Sequence, residues 1–255
     1  MTTIHRTALI SDVHGNALAL RAVLDDAKAW GVDHVVCLGD VATLGPHPRE
    51  VLQLVRERCT HVILGNHDEF LIRPDTIRDY TEAPPVVAAV SWCRSQLTPD
   101  DVTFVSTFAE RHTLELGPVR LLLFHGTPAS NTTDLLAETP AALVDTMLGA
   151  HRATVMAGGH THVQMLRQHH GTLLLNPGSV GLPFRDFVAG APPTVMPMAE
   201  YAVVEARGAT VSVGLRRVML PREELLAAAR TWDQPLGAYL VQQYSRPYPE
   251  VDAPT

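Results

Sequence analysis

Residues 8–40 read ALISDVHGNALALRAVLDDAKAWGVDHVVCLGD and predict one strand–helix–strand unit. The short apolar run Ala8–Ile10 is typical of a buried strand. Within Ala17–Trp30 the apolar residues recur at helical spacing, and Gly31 follows as a helix stop. A second apolar run, His34–Leu38, predicts the next strand. A helix that joins two strands in this way is typical of a parallel sheet, so the chain begins as an α/β fold.

The same alternation continues beyond residue 40. A helix is predicted at Arg49–Arg58 and a third strand at Val62–Leu64. Residues 84–108 are predicted to be largely helical, and the chain after residue 160 to be mostly β. Further strands are predicted at Arg111–Leu116, Val119–Phe124, Val155–Ala157, Val163–Arg167, Thr172–Leu175, Tyr201–Glu205 and Ala209–Arg216, and further helices at Pro140–Leu148 and Arg222–Trp232.

Five of these apolar runs share one feature, because each stops at a side chain that can bind a metal ion. In open α/β sheets, ligands bind beyond the carboxyl ends of the strands. Chance could place one polar group there, but five nitrogen or oxygen donors are hard to explain as loop composition. The five residues are Asp12, Asp40, Asn66, His125 and His160.

Local spacing adds a second ligand to two of these positions. His14 lies two residues after Asp12, and His162 lies two residues after His160, which places each pair on one side of an extended chain. The donors are carboxylates, an amide oxygen and imidazoles, with no thiolate. This set suits Mn²⁺, Fe, Zn²⁺ or Ni²⁺, and it disfavours an iron–sulfur cluster or a structural zinc finger.

The bulk composition limits the classes of function. The 255 residues are 46% apolar and 18% charged, which suits one large domain, predicted at residues 1–243, before a Pro-rich tail at residues 244–255. The net charge of −7 argues against a surface that coats nucleic acid. The three cysteines form no CxxC pair, and no apolar run approaches about 20 residues. A cytoplasmic protein without disulfides, signal peptide or membrane span is expected.

Taken together, these blocks resemble the calcineurin-like metallophosphoesterase superfamily. Leu44-Gly45-Pro46, His125–Pro128 and Asn176–Ser179 further resemble its small bacterial phosphodiesterase-like branch. The resemblance covers residues 7–206 and implies a four-layer αββα sandwich. The blocks that carry it, in the family's order, are Asp12-Val-His14, Gly39-Asp40, Gly65-Asn66-His67-Asp68, His125 and Gly159-His160-Thr161-His162.

The resemblance implies two divalent transition-metal ions, with Mn²⁺ or Fe expected and Zn²⁺, Ni²⁺ or Co²⁺ as alternatives. Asp40 would bridge the two ions. His67 would be the catalytic histidine, beside Asn66 as a second contact to the phosphate. The remaining ligands divide into Asp12, His14 and His162 for one ion and Asn66, His125 and His160 for the other.

The implied activity is hydrolysis of phosphate mono- or diesters. A hydroxide that bridges the two ions would attack phosphorus, and His67 would give a proton to the leaving group. The connections after Asp40 and Asn66 are short and leave no obvious peptide groove. A small phosphoester, including a nucleotide, is therefore the expected substrate, with no membrane partner and no dedicated nucleic-acid-binding module.

Two positions, Asp68 and Arg185, carry two interpretations each, and a third, Leu44, departs from the family pattern. Asp68 either orients or tunes His67 as part of the catalytic pair, or is a turn or cap residue. Arg185 is a candidate phosphate contact, but Phe184 interrupts the register of the Arg-Asp pair in related sequences, and a surface ion pair is the alternative. Leu44 stands where this branch often has an aromatic residue, which argues against base stacking there.

Other functions fit the same ligand set. They include a protein Ser/Thr phosphatase, a nucleotide or dinucleoside polyphosphate hydrolase, a metal-dependent nuclease and a catalytically silent metal-binding scaffold. A silent scaffold is expected to lack ligands or the catalytic histidine, whereas all seven ligands and His67 are present. The acidic net charge argues against a nuclease.

Overall fold

The computed structural model describes residues 3–247, which form ten strands, nine α-helices and a 3-10 helix at Pro74–Thr76. The strands are β1 (Ile4–Ile10), β2 (His34–Cys37), β3 (His61–Val62), β4 (His112–Leu116), β5 (Val119–Leu123), β6 (Val155–Ala157), β7 (Met165–His169), β8 (Thr172–Asn176), β9 (Met198–Arg207) and β10 (Thr210–Met219). The helices are α1 (Ala17–Ala29), α2 (Pro48–Arg58), α3 (Asn66–Ile72), α4 (Ile77–Tyr80), α5 (Pro84–Gln96), α6 (Pro99–Val105), α7 (Ala141–Leu148), α8 (Arg222–Thr231) and α9 (Pro235–Ser245).

The first sheet has the strand order β10-β9-β1-β2-β3. Its β1, β2 and β3 are parallel, and β9 and β10 extend it as an antiparallel hairpin. Ile10 pairs with Cys37, and Cys37 pairs with Val62, so the three parallel strands end in step. The segments that follow these strands therefore leave the sheet at one edge.

The second sheet has the strand order β4-β5-β6-β8-β7. Its centre is parallel, with β5 beside β6 and β6 beside β8, while β4 and β7 pair antiparallel at the two sides. Leu123 at the end of β5 pairs with Ala157 at the end of β6. The loops that carry His125 and His160 therefore also start side by side.

The two sheets pack face to face, and helices cover both outer faces. Leu9 and Val36 of the first sheet share one buried cluster with Leu121 and Val155 of the second. A larger cluster lies between the other face of the first sheet and helices α1, α2, α5, α6, α8 and α9. A smaller one joins α7 to the second sheet. The predicted αββα sandwich is confirmed.

Local signals explain where the first helix begins. The Asn16 side chain accepts a hydrogen bond from the backbone N–H of Ala19 at 3.1 Å and so caps α1. Its buried residues Leu20, Val23 and Ala27 recur at helical spacing and pack on the first sheet. Helix α1 returns the chain to the start of β2, and the loop between β1 and α1 carries Asp12 and His14.

The C-terminal part holds one helix that the sequence analysis does not predict. Helix α9 ends at Ser245, and Tyr244 is buried although the predicted tail begins at that residue. Residues 248–255 of that tail lie outside the described residues. Within residues 3–247, no helix combines the length and the apolar character needed to cross a lipid bilayer.

Candidate metal centre

The seven predicted ligands meet where the parallel strands of both sheets end. Asp12, Asp40 and Asn66 follow β1, β2 and β3, while His125 and His160 follow β5 and β6. All seven side chains are buried, and none is more than 8% exposed. The prediction that five apolar runs lead into one site is thus matched by the placement of their end residues.

Three of the ligands form the first group: Asp12, His14 and His162. The Nε2 atoms of His14 and His162 lie 3.1 Å apart. Asp12 Oδ1 lies 3.2 Å from His162 Nε2 and 3.8 Å from His14 Nε2. One carboxylate oxygen and two ring nitrogens thus converge on one point.

The second group consists of Asp40, His125 and His160, with Asn66 beside it. Asn66 Oδ1 lies 3.1 Å from His125 Nε2. Asp40 Oδ2 lies 3.4 Å from His125 Nε2 and 3.8 Å from His14 Nε2, so it faces both groups. This position between the groups is the one that a bridging carboxylate requires.

The ring orientation of two histidines fits a cation. The Nδ1 atoms of His125 and His162 lie 2.7 Å from the carbonyl oxygens of Leu38 and Leu182, to which they donate. In a neutral imidazole this leaves an Nε2 lone pair directed into the centre. Asp12 Oδ1 is buried and accepts no hydrogen bond from any described residue. These ring nitrogens and carboxylate oxygens converge at short range, and a pair of divalent ions would satisfy them.

Charge in the centre is arranged to the same effect. Burial lowers the pKa of His14 and also that of His160, the latter to about 4, which favours the neutral imidazole that a metal ion needs. Burial would raise the pKa of Asp12, but His162 and His125 lower it to about 2. Burial likewise opposes the charge on His125, whose pKa Asp40 and Asp12 raise to about 10. The two carboxylates thus favour positive charge in the centre, which bound divalent ions would supply in place of a proton on His125.

The backbone at the centre is strained. Non-glycine residues rarely adopt positive φ, and each such residue costs on the order of 1–3 kcal/mol. Among residues 3–247, seven non-glycine residues have positive φ. Two of them, Leu44 and His170, are not predicted ligands, and five belong to the centre. The five that belong to the centre are Asp12 (54°), His14 (45°), Asp40 (57°), His160 (69°) and His162 (58°).

Two glycines leave room for the carboxylates. A Cβ atom at Gly65 would lie 2.0 Å from Asp40 Oδ1, and one at Gly159 would lie 1.9 Å from Ser11 Oγ and 2.5 Å from Asp12 Oδ2. The loops therefore approach the two acidic side chains more closely than any other residue type allows.

His67 lies beside both groups. Its backbone N–H donates to Asp40 Oδ1 at 2.9 Å, and its ring packs edge-on against His14 with centroids 5.2 Å apart. The side chain is buried, and its Nδ1 atom has no hydrogen-bond partner among the described residues. His67 is thus fixed through its backbone while a ring nitrogen stays available.

The carboxylate of Asp68 accepts backbone hydrogen bonds from Asp40 at 2.7 Å, Val41 at 2.9 Å and Gly65 at 3.0 Å. None of its hydrogen bonds in the described part of the chain involves the His67 ring. Asp68 therefore holds the backbone that carries Asp40, as its interpretation as a turn or cap residue expects. A role in tuning His67 stays a prediction.

Arg185 is not brought together with the other predicted site residues. It forms an exposed ion pair with Asp186 at 2.8 Å and lines a separate cavity with Gln243. Phe184, which interrupts the Arg-Asp register, instead stacks on the His162 ring at 4.2 Å between centroids. The structure thus shows the ion pair of Arg185, and the phosphate contact stays a prediction.

The turn after β8 is hydrogen-bonded to the loops that carry Asp12 and His160. Asn176 Nδ2 donates to the carbonyl oxygen of Gly159 at 2.6 Å. Ser179 Oγ donates to the carbonyl oxygen of Asp12 at 2.7 Å and accepts from the backbone N–H of Leu182 at 2.8 Å. These hydrogen bonds fix the turn after β8 against the loops that carry Asp12 and His160.

Two further features were not predicted from the sequence. Tyr80, at the end of α4, lies with its ring centroid 6.1 Å from that of His67 and 6.2 Å from that of His160. It belongs to none of the motifs, so no sequence signal marks it.

At the far end of β7, Asp145, His169 and His170 form a third group that could hold an ion, with His169 Nε2 2.7 Å from Asp145 Oδ1.

Comparison with known proteins agrees with this geometry. A metallophosphoesterase from Sphaerobacter thermophilus is 28% identical, covers 95% of this chain and 98% of its own, and superposes with a TM-score of 0.73. An uncharacterised protein of Methanocaldococcus jannaschii is 26% identical over 191 residues, which is 69% of this chain and 76% of that protein.

Two further findings concern the fold and the family. A hypothetical protein of Pyrococcus horikoshii OT3 shares the fold, with a TM-score of 0.76 at 16% identity over 93% of this chain and 96% of its own. Residues 6–199 match the model of the calcineurin-like phosphoesterase superfamily domain. The chain therefore belongs to the calcineurin-like phosphoesterase superfamily.

Proposed function

We propose that this protein is a dinuclear metal-dependent phosphoesterase that hydrolyses phosphate mono- or diesters of small molecules. The observation that carries the proposal is the convergence of two ligand groups on Asp40, with a partner-free His67 beside them. Asp12, His14 and His162 would hold one ion, and Asn66, His125 and His160 the other.

Two divalent ions would neutralise charge on the phosphoryl oxygens and lower the pKa of the attacking water. The donor set supports Mn²⁺ or Fe, with Zn²⁺, Ni²⁺ or Co²⁺ as alternatives. The chain itself supplies ligand geometry that is fixed before substrate arrives, because His125 and His162 are held by backbone carbonyls and Asp12 and Asp40 by backbone N–H groups.

His67 would act as the general acid. Its ring lies against His14 and is held in place by the backbone hydrogen bond to Asp40. A protonated imidazole there would give its proton to the oxygen of the leaving alcohol or phenol as the P–O bond breaks. A positioned general acid contributes about 10²- to 10⁴-fold to a rate.

The test is hydrolysis of p-nitrophenyl phosphate and bis(p-nitrophenyl) phosphate by protein loaded in turn with Mn²⁺, Fe²⁺, Co²⁺, Ni²⁺ or Zn²⁺. We expect turnover that a chelator abolishes. No turnover with any of the five ions would refute the proposal.

Variants separate the roles of single residues. His67→Ala should keep both ions and lose about 10²-fold or more of the rate, whereas Asp40→Asn should lower occupancy of both sites. His170→Ala is the matched control, since it removes a histidine that is 72% exposed and lies away from the centre. His170 also belongs to the third group, with Asp145 and His169. Any ions that His170→Ala still binds can therefore be assigned to the candidate centre.

A further inference from the structure

The two sides of the centre are covered differently. On the side of His14, Leu44 is buried, and Leu225, Leu240 and Tyr244 of α8 and α9 lie over it. The cavity that remains there has a volume of about 20 Å³, which is room for about one water molecule. The C-terminal helices thus leave little room beside His14.

On the side of His67 and His160, Tyr80 stands at the surface, with 45% of it exposed. His67 and His160 themselves are buried, with exposures of 6% and 8%. The buried Phe70 lies behind Tyr80, with ring centroids 5.7 Å apart. Tyr80 is thus an aromatic ring at the mouth of a buried polar site, supported from behind and open to solvent.

The place of the proposed proton donor indicates which part of the substrate would lie on this side, namely the leaving group. The leaving group departs next to the residue that protonates it, and His67 is the proposed proton donor. Tyr80 is the exposed aromatic residue beside His67, so a group that departs past His67 meets the Tyr80 ring.

We propose that Tyr80 forms the leaving-group subsite of this enzyme, and that the subsite takes a planar aromatic group, a nucleobase or an aryl ring, stacked on the Tyr80 ring. The proposal rests on the proposed function and names its substrate class. Leu44 is buried under α8 and α9, so a stacking role cannot fall to that position.

Stacking on an aromatic side chain is strong enough to be measured, and its loss lowers kcat/KM by about tenfold. We would compare kcat/KM for three esters of the class that the wild type hydrolyses: an aryl ester, a nucleoside ester and a glycerol ester. The kcat/KM of each variant is divided by the wild-type kcat/KM for the same ester. This ratio cancels the intrinsic reactivity of the ester.

The variants are Tyr80→Leu, which keeps bulk but removes the ring, and Tyr80→Phe, which removes only the hydroxyl. Trp30→Leu, at a residue that is 49% exposed at the end of α1, is the control. Tyr80→Leu should lose about tenfold on the aryl and nucleoside esters and less than twofold on the glycerol ester. Tyr80→Phe and Trp30→Leu should resemble wild type. Equal loss on all three esters, no loss, or an equal defect in Tyr80→Phe would overturn the subsite.

A binding measurement separates this proposal from the activity itself. Calorimetric titration of the metal-loaded protein with adenosine monophosphate and with glycerol phosphate needs no turnover. Tyr80→Leu should bind adenosine monophosphate about tenfold more weakly and glycerol phosphate equally well. That result in a protein without turnover would uphold the subsite and refute only the proposed hydrolysis. Turnover with unchanged binding of both ligands would refute the subsite alone.

Discussion

Five predicted ligands have positive backbone φ values, and this strain lowers the stability of the fold at single residues. Asp12, Asp40 and His160 each lie two or three residues beyond the end of a strand, where the chain turns so that the side chain points into the centre. Strain of this kind persists only where the surroundings fix the conformation. The surroundings are visible for Asp12, whose carbonyl oxygen accepts from Ser179 Oγ while its carboxylate accepts from the His160 N–H.

Asp68 carries a prediction at this scale. Asp68→Ala should lower the free energy of unfolding by about 3 kcal/mol or more, because three buried backbone N–H groups lose their acceptor. Asp68→Asn keeps one carbonyl oxygen and should lose less. Denaturant unfolding of the metal-free protein measures both.

The matched control for this prediction is Asp25→Ala, at an exposed acid on α1. Its free energy of unfolding should stay within about 0.5 kcal/mol of wild type. If Asp68→Ala were as stable as that control but turned over slowly, Asp68 would act on His67 after all.

Among the elements, those that end at ligands were the most predictable from sequence. The apolar runs at Ala8–Ile10, His34–Leu38 and Val155–Ala157 correspond to β1, β2 and β6. Short apolar runs between glycines and polar residues leave little freedom in how a buried strand is placed.

Helices α3 and α9 were missed for different physical reasons. Helix α3 has seven residues and begins at the ligand Asn66, so its first turn looks like a loop motif and no periodicity can develop. Helix α9 contains Gly237, which disfavours a helix in isolation. A Cβ atom there would lie 2.2 Å from the carbonyl oxygen of Trp232, so close packing on the end of α8 requires the glycine. Pro235 at the helix start was the signal available.

Contacts between distant elements were not predictable, and one of them gives a second prediction. Asp26 of α1 accepts hydrogen bonds from Tyr201 of β9 at 2.5 Å and from Arg216 Nε of β10 at 2.8 Å. The hydrogen bond from Arg216, with a further one from Tyr201, lowers the pKa of Asp26. A carboxyl group whose pKa is lowered by folding stabilises the protein above the pKa of the unfolded chain.

Asp26→Asn should therefore destabilise the protein by about 1 kcal/mol at neutral pH. The difference from wild type should be complete above about pH 5 and shrink as the pH falls through the lowered pKa of Asp26. Thermal unfolding from pH 3 to pH 7 measures it, with Asp25→Asn as a control of equal charge change. A difference that does not vary with pH would show that lost packing, not ionisation, is responsible.

At the scale of the whole molecule, the candidate centre lies between two sheets. Asp12, Asp40 and Asn66 come from the first sheet, and His125, His160 and His162 from the second. Ions bound to both would link the halves of the sandwich. Ions that bind only the folded state stabilise it by about 2.7 kcal/mol at a hundredfold excess over Kd.

Metal loading should accordingly raise Tm by about 5–10 °C, since about 1 kcal/mol corresponds to about 2–4 °C in a protein of this size. Scanning calorimetry of chelator-treated and reloaded protein tests this. His170→Ala should show the full shift, and Asp40→Asn should lose most of it. An identical Tm with and without ions would show that the ligands of the two sheets do not share them.

The spread of the ligands along the chain has a consequence for biosynthesis. Asp12 and His14 are made early, but their group is incomplete until His162 leaves the ribosome, and Asn66 and His125 likewise wait for His160. Capture of the proposed ions therefore waits until 162 of the 255 residues have been made. The ion that is captured then depends on the metal supply in the cell at that moment, and not only on the order of affinities. We expect the metal content of purified protein to change with the metal supply of the growth medium.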